Sequence, residues 1–452
     1  MIKKNDIYCT EIIDQGIEGV GIAKIDNFTI FIKDSIKGEK VKICITKVLS
    51  SYAYGKVIEI LETSKHRRHV DCHTYKQCGG CNLRHIDYEE TLRIKTDIVK
   101  NCIYKSIKNH IEVNACIGME QPFYYRNKLQ YPIGINKEKN AIMGIYTQRT
   151  HNIIETTNCL IQDKLSQKIA NELFNILKKY NIHPYNEKNG SGIVRHIIIR
   201  IGKSTNEVIV TIVLNKEKLI NEQKIIKEIT EKFKEIKTIA KNINTENTNV
   251  ILGNKTQIIY GSGYIRDYLG EYQFKISPVS FYQVNPIQTE KLYNKAIQYA
   301  ELTGTETVFD LYCGIGTIGI FASKYAKKVY GIEIVEQAIE DAKENANINA
   351  ISNIEFYAGK VENLLPKLLK ENKADVVFTD PPRKGLDENT IKTLLELESR
   401  KIVYISCNPA TLARDLLMLT QKYKIKEIQP IDMFPFTSHV ECVALLELKN
   451  CQ

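Results

Sequence analysis

Short runs of alternating apolar and polar residues open the chain. Phe28-Thr29-Ile30-Phe31-Ile32, Glu39-Lys40-Val41-Lys42-Ile43-Cys44-Ile45 and Gly55-Lys56-Val57-Ile58-Glu59-Ile60 repeat with the two-residue period of a half-buried strand, and Gly16, Gly19 and Gly21 punctuate the stretch before them. Several short strands with glycine turns predict a small OB-like β-barrel over residues 1–62. Residues 63–285 mix the two periods. Residues 125–131 and 196–201 read as strands, and 207–213 follows Lys203-Ser204-Thr205-Asn206 as the second arm of a hairpin. Residues 216–236 carry a helical period. From residue 286 strands and helices alternate regularly: Thr307-Val308-Phe309-Asp310-Leu311-Tyr312, Lys328-Val329-Tyr330-Gly331-Ile332-Glu333, Ile354-Glu355-Phe356-Tyr357, Asp375-Val376-Val377-Phe378-Thr379 and Lys401-Ile402-Val403-Tyr404-Ile405-Ser406, with a last strand over 441–448. That alternation predicts an α/β class with a parallel, Rossmann-like sheet over 286–452, behind an α+β central domain over 63–285.

Composition narrows the setting. The chain has 452 residues, 43% hydrophobic and 26% charged, which excludes a disordered polymer. No apolar run approaches the ~18 residues of a membrane span, and Met1-Ile2-Lys3-Lys4-Asn5-Asp6 leads into no apolar signal core. A cytoplasmic location follows, where the 12 cysteines serve packing, metal binding or catalysis before disulfides. Charge is uneven: residues 1–200 hold 31 Lys and Arg against 21 Asp and Glu, and residues 201–452 hold 32 against 32. The net +10 sits in the first part, which reads either as a surface for a polyanionic partner such as nucleic acid or as a soluble basic surface.

Gly314-Ile315-Gly316-Thr317-Ile318-Gly319 lies between a strand and a helix, where glycines admit a ligand close to the backbone. Glu333 ends the next strand, 23 residues after Asp310, where a carboxylate can accept from both ribose hydroxyls of an adenosine cofactor. Asp310, just before the loop, would repel a pyrophosphate but suits a cofactor bearing a sulfonium and an ammonium. Asp380-Pro381-Pro382-Arg383 ends the fourth strand on the ligand-binding edge. These positions favour S-adenosylmethionine over NAD.

In Asp380-Pro381-Pro382-Arg383, Arg383 stands where an aromatic residue would serve exocyclic-amine methylation. The next strand instead ends in Ser406-Cys407-Asn408-Pro409. A thiolate there can add to C6 of a pyrimidine and turn C5, otherwise too weak a nucleophile, into an enolate carbon. A base must then remove the C5 proton, and candidates lie in His439-Val440-Glu441. Together Asp310-Leu311-Tyr312-Cys313-Gly314-Ile315-Gly316, Asp380-Pro381-Pro382-Arg383-Lys384-Gly385, Ser406-Cys407-Asn408-Pro409, His439-Val440-Glu441 and Ser280-Phe281-Tyr282-Gln283-Val284-Asn285 resemble the RNA (uracil-5-)-methyltransferase family, and the first 62 residues resemble a TRAM domain. The resemblance implies Cys407 as nucleophile, Glu441 as base, and Gln283, Tyr312, Glu333 and Asp380 as contacts of the methyl donor. Thr317 departs from the Asn that some members carry. Cytosine-5 RNA enzymes place a cysteine after strand four, and residues 380–387 contain none, which argues for uracil.

Cys72, Cys78, Gly79, Gly80 and Cys81 give a C-x5-C-x2-C spacing. Iron–sulfur clusters take four thiolates, so a further ligand is needed, with Cys102, Cys116 and Cys159 as candidates. Zinc is the alternative, given His73 and His85 nearby. In the family branch that carries a [4Fe-4S] cluster, the resemblance implies Cys72, Cys78, Cys81 and Cys159. Cluster and barrel together lean toward 23S ribosomal RNA, with transfer RNA the runner-up; no membrane or obligate protein partner is implied. The target uridine must leave its stack to meet Cys407. The competing class is a non-catalytic RNA-binding protein with a degenerate methyltransferase domain, against which the retained Cys407, Glu441 and Asp380 argue.

Overall fold

The computed structural model describes residues 2–148, 150–187 and 189–449. The chain divides into two compact units: Met1–Glu120 with Pro381–Glu398 and Tyr404–Gln452, and Gln121–Asp380 with Ser399–Val403.

The first unit begins with a six-stranded sheet in the order Ile7–Glu11, Lys40–Val48, Tyr52–Glu62, Phe28–Lys33, Gly21–Ile25, Asp14–Gln15. Its pairings are antiparallel except Phe28–Lys33 with Tyr52–Glu62, which run parallel. Alternation sends Ile30, Ile32, Val41, Ile43 and Ile45 into one fully buried core. Helix Tyr88–Ile107 follows; Asp87 caps it by accepting from Glu90 N. Ile94 and Ile98 of this helix pack with Ile36, Leu83 and Ile86. Strand Glu441–Leu448 pairs antiparallel with Tyr423–Ile431, not parallel as the strand–helix alternation predicts. The nine residues 432–440 that join them are too few for a crossover helix.

The second unit holds a seven-stranded sheet in the order Ile153–Glu155, Ala141–Tyr146, Lys128–Ile135, Val194–Ile201, Val208–Leu214, Ile236–Ile243, Lys255–Gly261. Helices Lys164–Lys179 and Glu222–Lys232 contribute to its core. The expected hairpin is present: Val194–Ile201 pairs antiparallel with Val208–Leu214. Four parallel strands follow in the order Ile354–Ala358, Lys328–Glu333, Thr307–Leu311, Val376–Thr379, interleaved with helices Thr317–Ser323, Glu336–Ile348 and Val361–Leu368. This is the Rossmann-like arrangement, and its strands are continuous apolar runs because the central members are buried on both faces. Among the described residues no helix is long and apolar enough to cross a membrane.

Candidate active site

The glycine loop is built from backbone that turns left-handed three times. Tyr312, Gly314 and Gly316 have φ of 64°, 55° and 80°. Gly316 begins helix Thr317–Ser323, and a Cβ there would come within 2.7 Å of the Phe356 ring, so no larger residue fits. Two carboxylates hold the loop. Gly319 N–H donates to Asp310 Oδ2 (2.8 Å), and Gly314 N–H donates to Glu333 Oε2 (3.2 Å), while Glu333 Oε1 accepts from Val335 N (3.0 Å).

Asp310 also serves the loop itself. Its side chain is fully buried and braces the loop from behind, with Oδ1 left without a hydrogen-bond partner. Burial pushes its carboxyl up to about 8, opposed by the Gly319 amide and reinforced by the negative charges of Asp380 and Glu333. Burial likewise raises Asp380 to about 7. Asp310, Asp380 and Glu333 thus share one neighbourhood at the strand ends, where a bound cation favours their ionised forms and a diphosphate does not.

One cleft is lined by Gln283, Tyr312, Gly314, Thr317 and Asp380, together with Phe281 and Tyr293. The structure brings together Gln283, Tyr312 and Asp380; Glu333 reaches the same loop through Gly314. Thr317 Oγ1 lies 3.0 Å from the Tyr293 hydroxyl, so its side chain is engaged in the cleft wall. The donor set fits S-adenosylmethionine: carboxylates for its cationic end and ribose hydroxyls, and a glycine backbone that a flat adenosine can approach.

Sequence reading missed the support beneath Gln283. Asn127 is fully buried; its N–H donates to Val284 O (2.9 Å) and its Nδ2 to Gln283 O (3.0 Å). Arg200 Nη2 donates to Ser280 O (3.0 Å), and Ser280 Oγ to Asp341 Oδ2 (2.7 Å). Residues 280–284 are thereby fixed from three sides. Phe281, 71% exposed, is the large apolar side chain of this segment left facing solvent.

In the first unit, Cys407 follows strand Lys401–Ser406 and precedes helix Pro409–Leu419; it is partly exposed. Asn408 Nδ2 and Thr411 Oγ1 each donate to Arg383 O at 3.2 Å, and Arg414 Nη2 to Lys384 O (2.9 Å). Buried Asp415 accepts from Leu386 N (2.8 Å) and from the Tyr404 hydroxyl (2.7 Å). The segment just after Asp380 is thus fastened to the turn that carries Cys407. Glu441, buried, is the first residue of its strand and lies opposite Ile431. His439 is exposed and precedes the strand, whereas Glu441 is its first residue.

Among the described residues no group of three or more His, Cys, Asp or Glu side chains is arranged to hold a metal ion. Of the expected ligands, Cys72, Cys78 and Cys81 belong to the first unit and Cys159 to the second. Turns fix the backbone of the first three, through Cys78 N to Thr74 O (2.8 Å) and Tyr75 N to Cys72 O (3.2 Å). One local feature does suit sulfur ligation, the Gly80 N–H directed at Cys78 Sγ (3.3 Å). His85, a zinc candidate by position, is buried with Nδ1 at 2.6 Å from the Tyr75 hydroxyl, and burial lowers it to about 4.

Comparison with known proteins adds an independent line. Residues 88–449 match the family described as tRNA (Uracil-5-)-methyltransferase, and residues 11–58 match the TRAM domain. The chain is 47% identical over 451 residues to an uncharacterized RNA methyltransferase of Clostridium acetobutylicum, covering 99% of this chain and 98% of that one. An uncharacterized RNA methyltransferase of Staphylococcus aureus is 46% identical over 450 residues, covering 99% of each. The solved tRNA (uracil-54, C5)-methyltransferase of Pyrococcus abyssi, in complex with S-adenosyl-L-homocysteine, superposes with a TM-score of 0.78 at 27% identity, covering 97% of this chain and all of that one. A carboxylate-lined cleft over a left-handed glycine loop, a TRAM barrel and full-length similarity agree: the chain belongs to the tRNA (uracil-5-)-methyltransferase family and is an S-adenosylmethionine-dependent RNA methyltransferase.

Proposed function

We propose that the chain methylates C5 of a uridine in RNA through a covalent adduct at Cys407. The observation that carries this reading is the anchoring of residues 383–386 to Asn408, Thr411, Arg414 and Asp415, which ties the chain after Asp380 to the Cys407 turn. The Cys407 thiolate adds to C6 of the uracil, and the C5–C6 electron pair moves toward C5 and O4. Gln283, Tyr312, Glu333 and Asp380 would hold S-adenosylmethionine, which would supply an electrophilic methyl group to C5 as its S–CH3 bond breaks and S-adenosylhomocysteine is left. C5 then carries both methyl and hydrogen. Glu441 takes the C5 proton, the C5–C6 double bond re-forms, and the thiolate leaves. Asp380 also orients the target base.

Functionally the chain reads as a barrel over 1–62 and a central domain over 63–285 that hold RNA, with chemistry in 286–452. The RNA is 23S ribosomal RNA on the strength of the barrel and the cysteine motif. Transfer RNA is the second reading, favoured by the full-length superposition on the Pyrococcus abyssi enzyme. Mapping 5-methyluridine in ribosomal and transfer RNA from a strain lacking the gene decides between them: the site that vanishes names the substrate, and loss of no 5-methyluridine overturns the reading. Cys72, Cys78, Cys81 and Cys159 are proposed as ligands of a [4Fe-4S] cluster that supports RNA binding and takes no part in methyl transfer. Anaerobically purified protein should then be brown, and Cys159→Ser should bleach it. Colourless protein with stoichiometric zinc would replace the iron assignment.

A further inference from the structure

Directly after Cys81, the side chain of Asn82 makes hydrogen bonds in two directions. Its Oδ1 accepts from Ser438 N (2.8 Å), its Nδ2 donates to Ser438 Oγ (2.9 Å), and the same Nδ2 donates to Glu18 O of the barrel (2.6 Å). Ser438 stands three residues before Glu441. The rest of 432–438 is held from the same side. Leu83 N donates to Phe436 O (2.9 Å), the Arg84 guanidinium lies 4.7 Å over the Phe436 ring, and Phe436 sits at φ 64°, a left-handed conformation that such contacts must maintain. Further back, Lys95 and Asp432 form a fully buried ion pair, Tyr88 donates to Asp432 Oδ2 (2.8 Å), and Lys95 Nζ donates to Phe434 O (3.1 Å). Residues 82–95 therefore form a continuous clamp on the segment that delivers strand Glu441–Leu448.

We propose that Asn82 is a positioning residue for proton removal from C5. It fixes Ser438, and through the short 438–440 link it sets where the Glu441 carboxylate begins its strand. It also joins three parts that the sequence keeps far apart: the barrel, the cysteine-bearing loop and the strand of the base. This inference rests on the reading of Glu441 as base and adds a named residue and a coupling to it. A displaced Glu441 impairs the step after methyl transfer, because neither thiolate attack nor transfer needs the base.

The test uses the full-length protein, total RNA labelled with tritium at uracil C5 from a strain lacking the gene, and S-adenosylmethionine. Asn82→Ala should bind S-adenosylmethionine as wild type does, form the methylated RNA–protein adduct, and release tritium roughly 10- to 100-fold more slowly, within the range for impaired base catalysis. The kcat should fall with KM little changed. Ser438→Ala, which keeps the bond from Ser438 N to Asn82, should slow release in the same direction but less. Asn82→Asp, which keeps the acceptor and loses the donor, should fall between Asn82→Ala and wild type. Unchanged tritium release in Asn82→Ala overturns the proposal, as does an equal loss of cofactor binding, adduct formation and release, which marks a merely structural role. Failure of the wild-type protein to release tritium would instead overturn the uridine C5 reading itself, so the two failures are distinguishable.

Discussion

In the proposed mechanism, Glu441 and Cys407 divide the chemistry at the level of single residues. Cys407→Ala removes the group that activates C5, so both adduct and methyl transfer should vanish. Glu441→Gln should still permit attack and transfer and then stall, leaving an RNA adduct that survives denaturing electrophoresis and a release rate lower by ~10²–10⁴. His439→Ala is the control: the exposed ring before the strand should leave release near the wild-type rate. Trapping by His439→Ala with normal release by Glu441→Gln would reverse the two assignments. Asp380 makes a pH prediction. Burial lifts its carboxyl from 3.8 to about 7, so it is largely neutral at pH 6 and ionised at pH 8. In the proposed site a cationic cofactor needs the ionised form; its affinity should rise with pH through about 7 and fall up to ~10-fold per unit below it. Asp380→Asn should bind weakly and flatten that profile in calorimetry. The same raised value means the cofactor-free protein loses stability as pH climbs above the unfolded value near 3.8, reaching the full loss above about 7.

Elements fail or hold according to contacts their own sequence does not reveal. Strands Lys328–Glu333, Lys401–Ser406 and Glu441–Leu448 are legible to the residue, because charged or polar residues mark their ends: Lys328 and Glu333, Lys401 and Ser406, and Glu441 with Lys449 after Leu448. The strand read from 125 starts instead at Lys128: Tyr124 is left-handed at φ 54°, and Asn127 spends its backbone N–H on Val284, 157 residues away in sequence. The helix read over 216–236 shortens to Glu222–Lys232, since Asn221 at φ 57° breaks the period. Gln283, Tyr312 and Asp380 are legible as motif members, whereas Asn82 and Asn127 are anonymous polar residues whose partners lie 356 and 156 positions off. Two elements carry predictions. Gly385 has φ 80°, and a Cβ there would meet Asp415 Oδ2 at 2.4 Å; Gly385→Ala should loosen the segment after Asp380 and cost activity before stability, read as lower kcat at an unchanged melting temperature within a few degrees. Lys95→Met leaves Asp432 buried without its cation and should cost ~3–5 kcal/mol in urea unfolding, because both groups of that pair are fully buried.

Across the whole molecule, two features bear on RNA affinity: charge, and an aromatic face of the barrel. The excess of 10 positive charges in residues 1–200 has no counterpart in the rest of the chain. On the barrel, Phe31, Tyr52 and Tyr54 gather with ring centroids 5.3–6.0 Å apart, all partly exposed, on the face opposite Ile30, Ile32 and Ala53. Lys33 and Lys56 are register partners beside them, so rings and ammonium groups share one face. Such a face suits single-stranded RNA, where bases stack on aromatic rings and phosphates pair with lysine. Two signatures follow for the full-length protein. Affinity for RNA should fall linearly in log–log form as salt rises, since bound phosphates release counterions. Lys33→Glu with Lys56→Glu should make that slope shallower, whereas Tyr52→Ala with Tyr54→Ala should lower affinity by ~1–3 kcal/mol per lost stack at an unchanged slope. Filter binding across a salt series, with S-adenosylmethionine affinity as the folding control, separates the two. An aromatic variant that matched wild-type affinity at every salt concentration would remove the barrel face from the RNA path and leave charge alone to account for binding.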